Sequence, residues 1–263
     1  MADTEIRFDD GAAYEEMMGK WSRLAGEVFL DWLRPRANLN WTDVGCGNGA
    51  FTELLAERCA PQSIVGIDPS EGQLAYARSR HRAGIAQFLQ GSAQSLPLAA
   101  ASVDAASMAL VIFFMPDPAA GVAEMRRVVR PGGMVATYAW DMAGDGFPWD
   151  PIYVAMQERG LTAQRPPRID VSSRGNLERL WREAGLQEVA TREIIIGRSF
   201  ETFDSYWDSA MLASGLKSGL AQQPAASRDA IKTRSRALMP RDSSGQIVYR
   251  ARANAAKGVV PAA

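Results

Sequence analysis

The chain has 263 residues, of which 47% are hydrophobic, and its 29 basic and 30 acidic side chains leave a formal net charge of −1. This balance gives no electrostatic footprint for nucleic acid or an anionic membrane, so we expect neither as a partner. Two cysteines without CxxC spacing and a single histidine argue against a disulfide framework and against a Cys/His metal site, so no metal is predicted.

The N-terminal sequence MADTEIRFDD is acidic and lacks the basic and apolar regions of a signal peptide. The longest apolar run, AASMALVIFFMP, lies between Asp104 and Asp117 and is too short to cross a bilayer. These features predict a cytoplasmic protein.

The first predicted element is an amphipathic helix that ends before Pro35, because proline disfavours helical geometry at the preceding residue. Apolar residues at spacings of three and four make one stripe along it: Tyr14, Met17, Met18, Trp21, Leu24, Ala25, Val28, Phe29 and Trp32. The stripe predicts packing on a core. A sharper hypothesis is that its Tyr, Met and Trp side chains also cover a ligand pocket.

Strands and helices then alternate regularly as far as Trp140. The predicted strands are 39–44, 64–68, 86–90, 103–110 and 134–140, and the predicted helices are 51–59, 70–80 and 118–129. This alternation is typical of βαβ units, whose parallel sheet is covered on both faces. Right-handed crossovers make the expected fold a doubly wound α/β sandwich.

The regular alternation stops after Trp140. Segments 141–150 (DMAGDGFPWD) and 165–170 (RPPRID) are predicted loops, and 173–184 is a predicted helix. Segment 203–240 is predicted to be helical with a turn near 222–226. Segments 188–200 and 248–260 are predicted strands, which can close one sheet edge as an antiparallel pair.

The segment WTDVGCGNGAF (41–51) joins the first strand to the next helix and carries three glycines at alternate positions. In a parallel sheet, ligands bind beyond the C-terminal strand ends, and bare backbone lets a ligand approach the N–H groups of the following helix. The second strand ends in Asp68, 23 positions after Gly45. A carboxylate at this place commonly accepts the two hydroxyls of a ribose, so the pattern predicts an adenosine-type cofactor.

Two classes of cofactor compete for this loop. Dinucleotide enzymes use GxGxxG, whereas the spacing here is GxGxG with Asp43 just upstream. A carboxylate beside the loop would repel a pyrophosphate, but it suits the positive amino group of S-adenosylmethionine. The residues therefore favour S-adenosylmethionine. An NAD-dependent oxidoreductase and a non-catalytic S-adenosylmethionine-binding protein stay open as alternatives.

Five segments resemble the class I S-adenosylmethionine-dependent methyltransferases of type 11, most closely the ubiquinone/menaquinone C-methyltransferase branch. They are DVGCGNGAF, IVGIDPSEGQLAYAR, GSAQSLPLAAASVDAA, ALVIFFMPDP and EMRRVVRPGG, and the resemblance covers residues 12–140. It implies a Rossmann-like seven-stranded sheet with five or more parallel strands, an antiparallel edge pair and a helical cap. The expected division is an N-terminal cap helix (1–38), a cofactor-binding core (39–140) and a C-terminal part over the substrate site (141–263).

The resemblance also implies the contacts of the cofactor. The methionine end would be held by Asp43, Gly45, Cys46 and Gly47, and the ribose by Asp68. The adenine would lie near Pro69 and Gln73, with Ser92 and Ala93 at its edge. The cofactor as a whole would lie over Ala109 and Leu110. Two positions depart from the family pattern. The family often has Asp at the position of Ser92 and His at that of Phe113 or Phe114. We therefore expect the adenine amino group to bond Ser92 or Gln94, and no obvious polar group near the substrate.

Methyl transfer from a sulfonium is an in-line displacement that depends on alignment and desolvation. Asp141 and Asp145 follow the fifth strand, but no residue is assigned as a catalytic base. Aromatic and apolar residues predict a flat or apolar small molecule as methyl acceptor: Tyr14, Met18, Trp21, Phe113, Phe114, Trp140, Phe147 and Trp149. The alternative is that these rings only pack the helical cover onto the sheet. A homodimer is an open possibility.

Overall fold

The computed structural model describes residues 18–80, 84–240 and 246–262. Tyr14, Met17 and the start of the predicted cap helix lie outside these described residues. The strands are β1 (Asn40–Val44), β2 (Ser63–Asp68), β3 (Ala86–Gln90), β4 (Val103–Ala109), β5 (Val129–Trp140), β6 (Gln187–Phe200) and β7 (Ile247–Val259). The helices are α1 (Lys20–Leu33), α2 (Ala50–Cys59), α3 (Glu71–Arg80), α4 (Pro118–Val128), α5 (Asp150–Gln157), α6 (Arg174–Glu183), α7 (Phe203–Ala210), α8 (Ser214–Ala221) and α9 (Ala225–Leu238).

The seven strands form one sheet in the order β3-β2-β1-β4-β5-β7-β6. The pairs along β3-β2-β1-β4-β5 are parallel, and β7 is antiparallel to both of its neighbours. The chain reverses direction across the sheet beside β1, so the C-terminal ends of β1 and β4 flank the crevice where ligands bind in such sheets. The predicted Rossmann-like sheet with its antiparallel edge pair is confirmed.

Besides shifts of a residue or so and an additional break between α7 and α8, two boundaries differ from the sequence-based expectation. Strand β5 starts at Val129, directly after α4, because its first residue already pairs with Val103 before a register shift. The Pro-Gly-Gly run therefore lies inside the strand. Helix α5 begins at Asp150, within a segment whose aromatic and proline residues had indicated only a loop. Trp149, Asp150 and Pro151 start this helix, since proline is well tolerated in a first turn.

The cap helix α1 is fixed on the sheet by aromatic rings. Phe29 lies 4.8 Å from Tyr138 of β5, and Phe51 of α2 lies 5.6 Å from the same ring, between centroids. The hydroxyl of Tyr138 also donates to the carbonyl of Ser22 at 3.3 Å. On the opposite face, the buried Trp181 of α6 donates its indole N–H to the carbonyl of Val135 at 3.0 Å. The sheet is thus covered on both faces.

Strands β6 and β7 continue beyond the end of β5. Trp140, the last residue of β5, pairs with Ala253, whereas residues 247–252 pair only with residues 195–200 of β6. We call this two-stranded part, 195–200 with 247–252, the β6–β7 extension. It rises above the same sheet edge as the glycine loop, and α1 and α7 pack on it through Trp21 and Tyr206.

The Pro-Gly-Gly run yields a test of the packing. A Cβ atom on Gly133 would lie 2.5 Å from the carbonyl oxygen of Asp104, a backbone atom that cannot move cheaply. We expect Gly133→Ala to lower the free energy of unfolding by about 1–3 kcal/mol, as for other overpacked sites. Gly219→Ala in α8, where a Cβ meets nothing within 4 Å, is the control and should be neutral or stabilising. Urea unfolding measures both, and equal effects would contradict the packing argument.

Candidate cofactor and acceptor site

The glycine loop after β1 turns sharply over the end of β2. Gly45, Gly47 and Gly49 all have positive φ, of 72°, 52° and 80°. The amides of Gly45 and Cys46 both donate to the carbonyl of Ile67, at 2.7 and 3.0 Å. A left-handed backbone is costly for residues with a Cβ, so glycine at these positions lets the loop fold back onto β2.

Two of these glycines have different surroundings. A Cβ on Gly45 would lie 2.5 Å from the side chain of Val111, so this glycine makes room for the segment that follows β4. A Cβ on Gly47 would meet only Gln73 Oε1, at 4.0 Å. Gly47 therefore presents bare backbone to open space, which is the side from which a ligand can approach.

Asp68, at the end of β2, ties the loop to the next helix. Its Oδ2 accepts the amide of Gly47 and its Oδ1 accepts the amide of Ser70, each at 2.9 Å. Burial raises the pKa of Asp68, although these two amides oppose the shift. The carboxylate is half-buried, and each of its oxygens has a second lone pair for an incoming hydroxyl. Its position beside bare backbone fits a ribose.

Asp43 lies beneath the loop and is fully buried. Its Oδ2 accepts the hydroxyl of Thr52 at 2.7 Å, and its Oδ1 has no hydrogen-bond partner within the described part of the chain. Burial raises the pKa of Asp43 to about 7; the Thr52 bond opposes this shift, and the nearby Asp68 adds to it. A buried carboxylate oxygen without a donor fits a positively charged amino group.

The other predicted cofactor residues gather along the same sheet edge. Gln73 is buried with Oε1 toward Gly47, and the carbonyl of Pro69 accepts the side-chain amide of Gln90 at 3.0 Å. Ser92 is exposed, and its Oγ accepts the amide of Gln94 at 3.2 Å. The half-buried Ala93 follows Ser92, and Ala109 and Leu110 end β4. Cys46 is buried, and burial raises the pKa of its thiol well above the usual value, so it is not a reactive nucleophile.

The predicted acceptor residues occupy three places. Phe113 and Phe114 lie edge to face on the turn after β4, with centroids 4.8 Å apart. Phe147 stacks on Tyr153 at 5.7 Å and meets Trp149 at 5.1 Å. Met18, Trp21 and Trp140 are buried, the first two on the cap helix side and the third at the end of β5.

Trp21, Tyr249, Phe147 and Trp149 form what we call the aromatic cover, which joins the cap-helix group to the Phe147 group. Trp21 packs on Tyr249, with centroids 6.4 Å apart, and the hydroxyl of Tyr249 lies 3.5 Å from the carbonyl of Phe147. Apart from Phe114, the predicted acceptor residues that the structure describes are buried. Their burial fits the packing alternative as well as a closed pocket, so their role in acceptor binding stays a prediction.

Sequence reasoning missed Asp150. Its Oδ2 accepts the amide of Phe147 at 2.6 Å, whereas its buried Oδ1 has no hydrogen bond within the described ranges and lies 4.0 Å from Arg165. Burial raises the pKa of Asp150 to about 7. A carboxylate in the first turn of a helix is ordinary, so the signal in the sequence was weak.

Neither a metal cluster nor a membrane span was found. Within residues 18–80, 84–240 and 246–262, no three His, Cys, Asp or Glu side chains gather as a possible metal site. Of the described helices, none combines the length and apolar content that crossing a membrane requires.

Comparison with sequence families matches residues 42–137 to the family described as "Methyltransferase domain". This range contains the glycine loop, Asp68 and strands β1 to β4 with most of β5. The chain contains a class I S-adenosylmethionine-dependent methyltransferase domain. The family resemblance inferred from the sequence is thereby confirmed for residues 42–137.

Curated relatives match about half of the chain. Malonyl-[acyl-carrier protein] O-methyltransferase of Pectobacterium atrosepticum is 31% identical over 129 residues, 49% of each chain. The biotin biosynthesis bifunctional protein BioHC of Cellvibrio japonicus is 35% identical over 129 residues, 48% of this chain and 25% of its own length. The chain thus spans about half the length of these relatives or less.

Solved structures share the fold over most of the chain. YcgJ of Bacillus subtilis has a TM-score of 0.59 at 17% identity and covers 91% of this chain and 99% of its own. Phospholethanolamine N-methyltransferase 2 of Haemonchus contortus, solved with phosphomonomethylethanolamine and S-adenosylhomocysteine, has a TM-score of 0.59 at 16% identity, with coverage of 95% and 56%. At these identities, the likeness establishes the fold alone.

A substitution at Gly47 tests whether the glycine loop binds the cofactor. Gly47→Ala places a methyl group on the open side and strains a left-handed backbone, at a cost of about 1–2 kcal/mol. We expect the affinity for S-adenosylhomocysteine, measured by calorimetry, to fall at least about tenfold. Gly84→Ala is the matched control, because Gly84 also has positive φ and open surroundings. If both variants keep full affinity, the ligand does not touch Gly47.

Asp43 makes stability depend on pH in a predictable direction. The pKa of Asp43 is about 7 in the folded state against 3.8 for an ordinary aspartate, so the native state holds the proton more tightly. This stabilisation is complete below about pH 4 and is lost as the pH rises through 7. Asp43→Asn keeps an acceptor for Thr52 without the charge.

We therefore expect the free energy of unfolding of the wild type to fall, relative to Asp43→Asn, by about 1 kcal/mol or more between pH 4 and pH 7.5. Urea unfolding at several pH values measures the difference, which also cancels the contribution of Asp150. Parallel curves for the two proteins would refute the raised pKa.

Proposed function

We propose that the chain transfers the methyl group of S-adenosylmethionine to a small apolar or aromatic molecule. The observation that carries the proposal is the bare backbone of Gly47 held against the carboxylate of Asp68 at 2.9 Å, open on its outer side. The names of the relatives, which include an O-methyltransferase and an N-methyltransferase, support the reaction class and leave the acceptor open.

The residues of the chain have separable roles in this proposal. Asp68 accepts the ribose hydroxyls, and the buried Oδ1 of Asp43 attracts the amino group of the methionine end. When bound, S-adenosylmethionine supplies a methyl group already activated on a sulfonium. The aromatic cover around Trp21, Phe147 and Trp149 excludes water and leaves an apolar space for the acceptor. The division into residues 1–38, 39–140 and 141–263 follows these roles.

The proposal includes a cytoplasmic enzyme without a nucleic-acid partner. The near-zero net charge and the two free buried cysteines support a reducing compartment and a small-molecule acceptor. A homodimer is compatible with these features.

Removal of the Asp68 carboxylate tests the function. We expect Asp68→Ala to lower the affinity for S-adenosylhomocysteine at least about tenfold, because the charge-assisted hydrogen bonds from the carboxylate to the ribose and to the glycine loop are lost. Asp31→Ala is the control, since Asp31 is exposed and pairs with Arg58 on the surface. Calorimetry measures the affinities, and thermal unfolding checks that both variants fold.

The wild type is then titrated with S-adenosylmethionine and with NAD, and S-adenosylhomocysteine release is followed across a panel of phenols, amines, thiols and acids. Turnover with one of these classes supports the proposal. Tight binding of NAD instead would replace it with an oxidoreductase, and cofactor binding without turnover on the whole panel would replace it with a non-catalytic binding protein.

A further inference from the structure

Arg198 occupies a core-facing position on the β6–β7 extension. Alternate residues of β6 point to one face, and on this face Ile194, Ile196 and Phe200 are all buried. Arg198 belongs to the same series and is itself half-buried. An arginine in an apolar series of this kind needs either a partner or a function.

Two aromatic rings flank the guanidinium of Arg198. Its Cζ lies 4.7 Å from the ring centroid of Phe200 and 5.7 Å from that of Trp21. Such rings attract a cation, but they do not satisfy its N–H donors. The two rings also contact each other, with centroids 6.1 Å apart, so they and the guanidinium form one group, which we call the Arg198 cluster.

The Arg198 cluster and Ser22, which follows Trp21 in the chain, hold buried polar atoms without a partner among the described residues. Nη1 of Arg198, Nε1 of Trp21 and Oγ of Ser22 are buried without a hydrogen-bond partner in residues 18–80, 84–240 and 246–262. Burial lowers the pKa of Arg198, and no carboxylate of those residues opposes the shift. A desolvated cation and unmatched donors are unfavourable unless an anion is bound to them.

Two other arginines near the aromatic cover, Arg252 and Arg165, each have a carboxylate close to the guanidinium. Nε of Arg252 bonds Asp141 at 2.8 Å, with Glu193 at 3.6 Å. Arg165 lies over the ring of Tyr153 and 4.0 Å from Asp150. Each of these two cations has a carboxylate close by, so of these three described arginines Arg198 alone has charge left for a ligand.

The Arg198 cluster lies at the edge of the sheet where the parallel strands end. The backbone carbonyl of Ser22, next to Trp21, accepts a hydrogen bond from the hydroxyl of Tyr138 at 3.3 Å. Tyr138 pairs in the sheet with Ala109 at the end of β4, where the cofactor loop also lies. A ligand at the Arg198 cluster would therefore lie at the same edge of the sheet as the glycine loop.

We propose that Arg198 binds a carboxylate of the methyl acceptor beside Trp21 and Phe200, so that the acceptor is a small apolar or aromatic acid. This inference rests on the proposed methyltransferase function. A planar guanidinium and a planar carboxylate form a bidentate pair, and the two flanking rings suit the apolar body of such an acid.

The experiment compares acids with their neutral amides. The intact protein, saturated with S-adenosylhomocysteine and also without it, is titrated with benzoate, cinnamate and octanoate and with the three matching amides by ligand-observed NMR. Phenyl phosphate is added to separate a carboxylate site from a phosphate site. The variants are Arg198→Gln and Arg198→Lys. Arg250→Gln is the matched control, since Arg250 is exposed on the opposite face of the same extension.

We expect at least one acid to bind the wild type about tenfold or more tightly than its amide, as for a buried charge-assisted bond. Arg198→Gln should abolish this preference without changing amide affinity, Arg198→Lys should keep part of it, and Arg250→Gln should behave as the wild type. The unfolding temperature of Arg198→Gln should not fall, because an unpaired buried charge is removed.

Three results would overturn the inference. They are no acid preference in the wild type, equal loss of acid and amide binding in Arg198→Gln with a lower unfolding temperature, and tighter binding of phenyl phosphate than of any acid. The affinity for S-adenosylhomocysteine is measured in the same samples. If the wild type does not bind it, the methyltransferase proposal fails; if it binds and the acid preference is absent, only the present inference fails.

Discussion

The hydrogen bond from the Gly47 amide to the Asp68 carboxylate joins the first two strand ends into one ligand-binding edge. Because β1 and β2 are parallel and Val44 pairs with Ile67, the chain leaving β1 must bend back to reach the end of β2. Only a left-handed backbone makes that bend so tightly, and this requirement accounts for glycine at alternate positions. The same bend leaves the outer side of Gly47 bare, so the geometry that closes the turn also creates the surface on which we propose that the cofactor binds.

The opposite half of the crevice is built by distant parts of the chain. The β6–β7 extension rises past the last residue of β5, and α1, α7 and the 141–149 segment pack against it through aromatic rings. Tyr206 of α7 even donates its hydroxyl to the carbonyl of Pro148 at 3.0 Å. A cover of this kind costs ordering entropy, which the burial of several large rings offsets. It therefore sets an apolar, aromatic cover beside the polar glycine loop.

The parallel core could be predicted from sequence because its signals are local. Strand length, helix period and the glycine spacing each depend on neighbouring residues, and the sheet order follows from right-handed crossovers. The roles of single residues depend on partners far away in sequence. Gly45 is needed because of Val111, and Arg198 is buried because Trp21, 177 positions earlier, lies over it. The early start of β5 escaped prediction for the same reason, since Val129 is extended through its pairing with Val103.

Asp43 and Arg198, two of the described charged side chains with a buried atom that lacks a hydrogen-bond partner, lie far apart in the sheet. The acidic group, Asp43, lies on β1, and the basic group, Arg198, lies on β6, four strands away in the sheet and thus roughly 19 Å apart at the usual strand spacing. At that distance they hardly stabilise each other. Each therefore keeps its own desolvation cost until a group of opposite charge binds. A cationic methionine amine at Asp43 and an anionic acceptor at Arg198, as we propose, would each offset one of these costs.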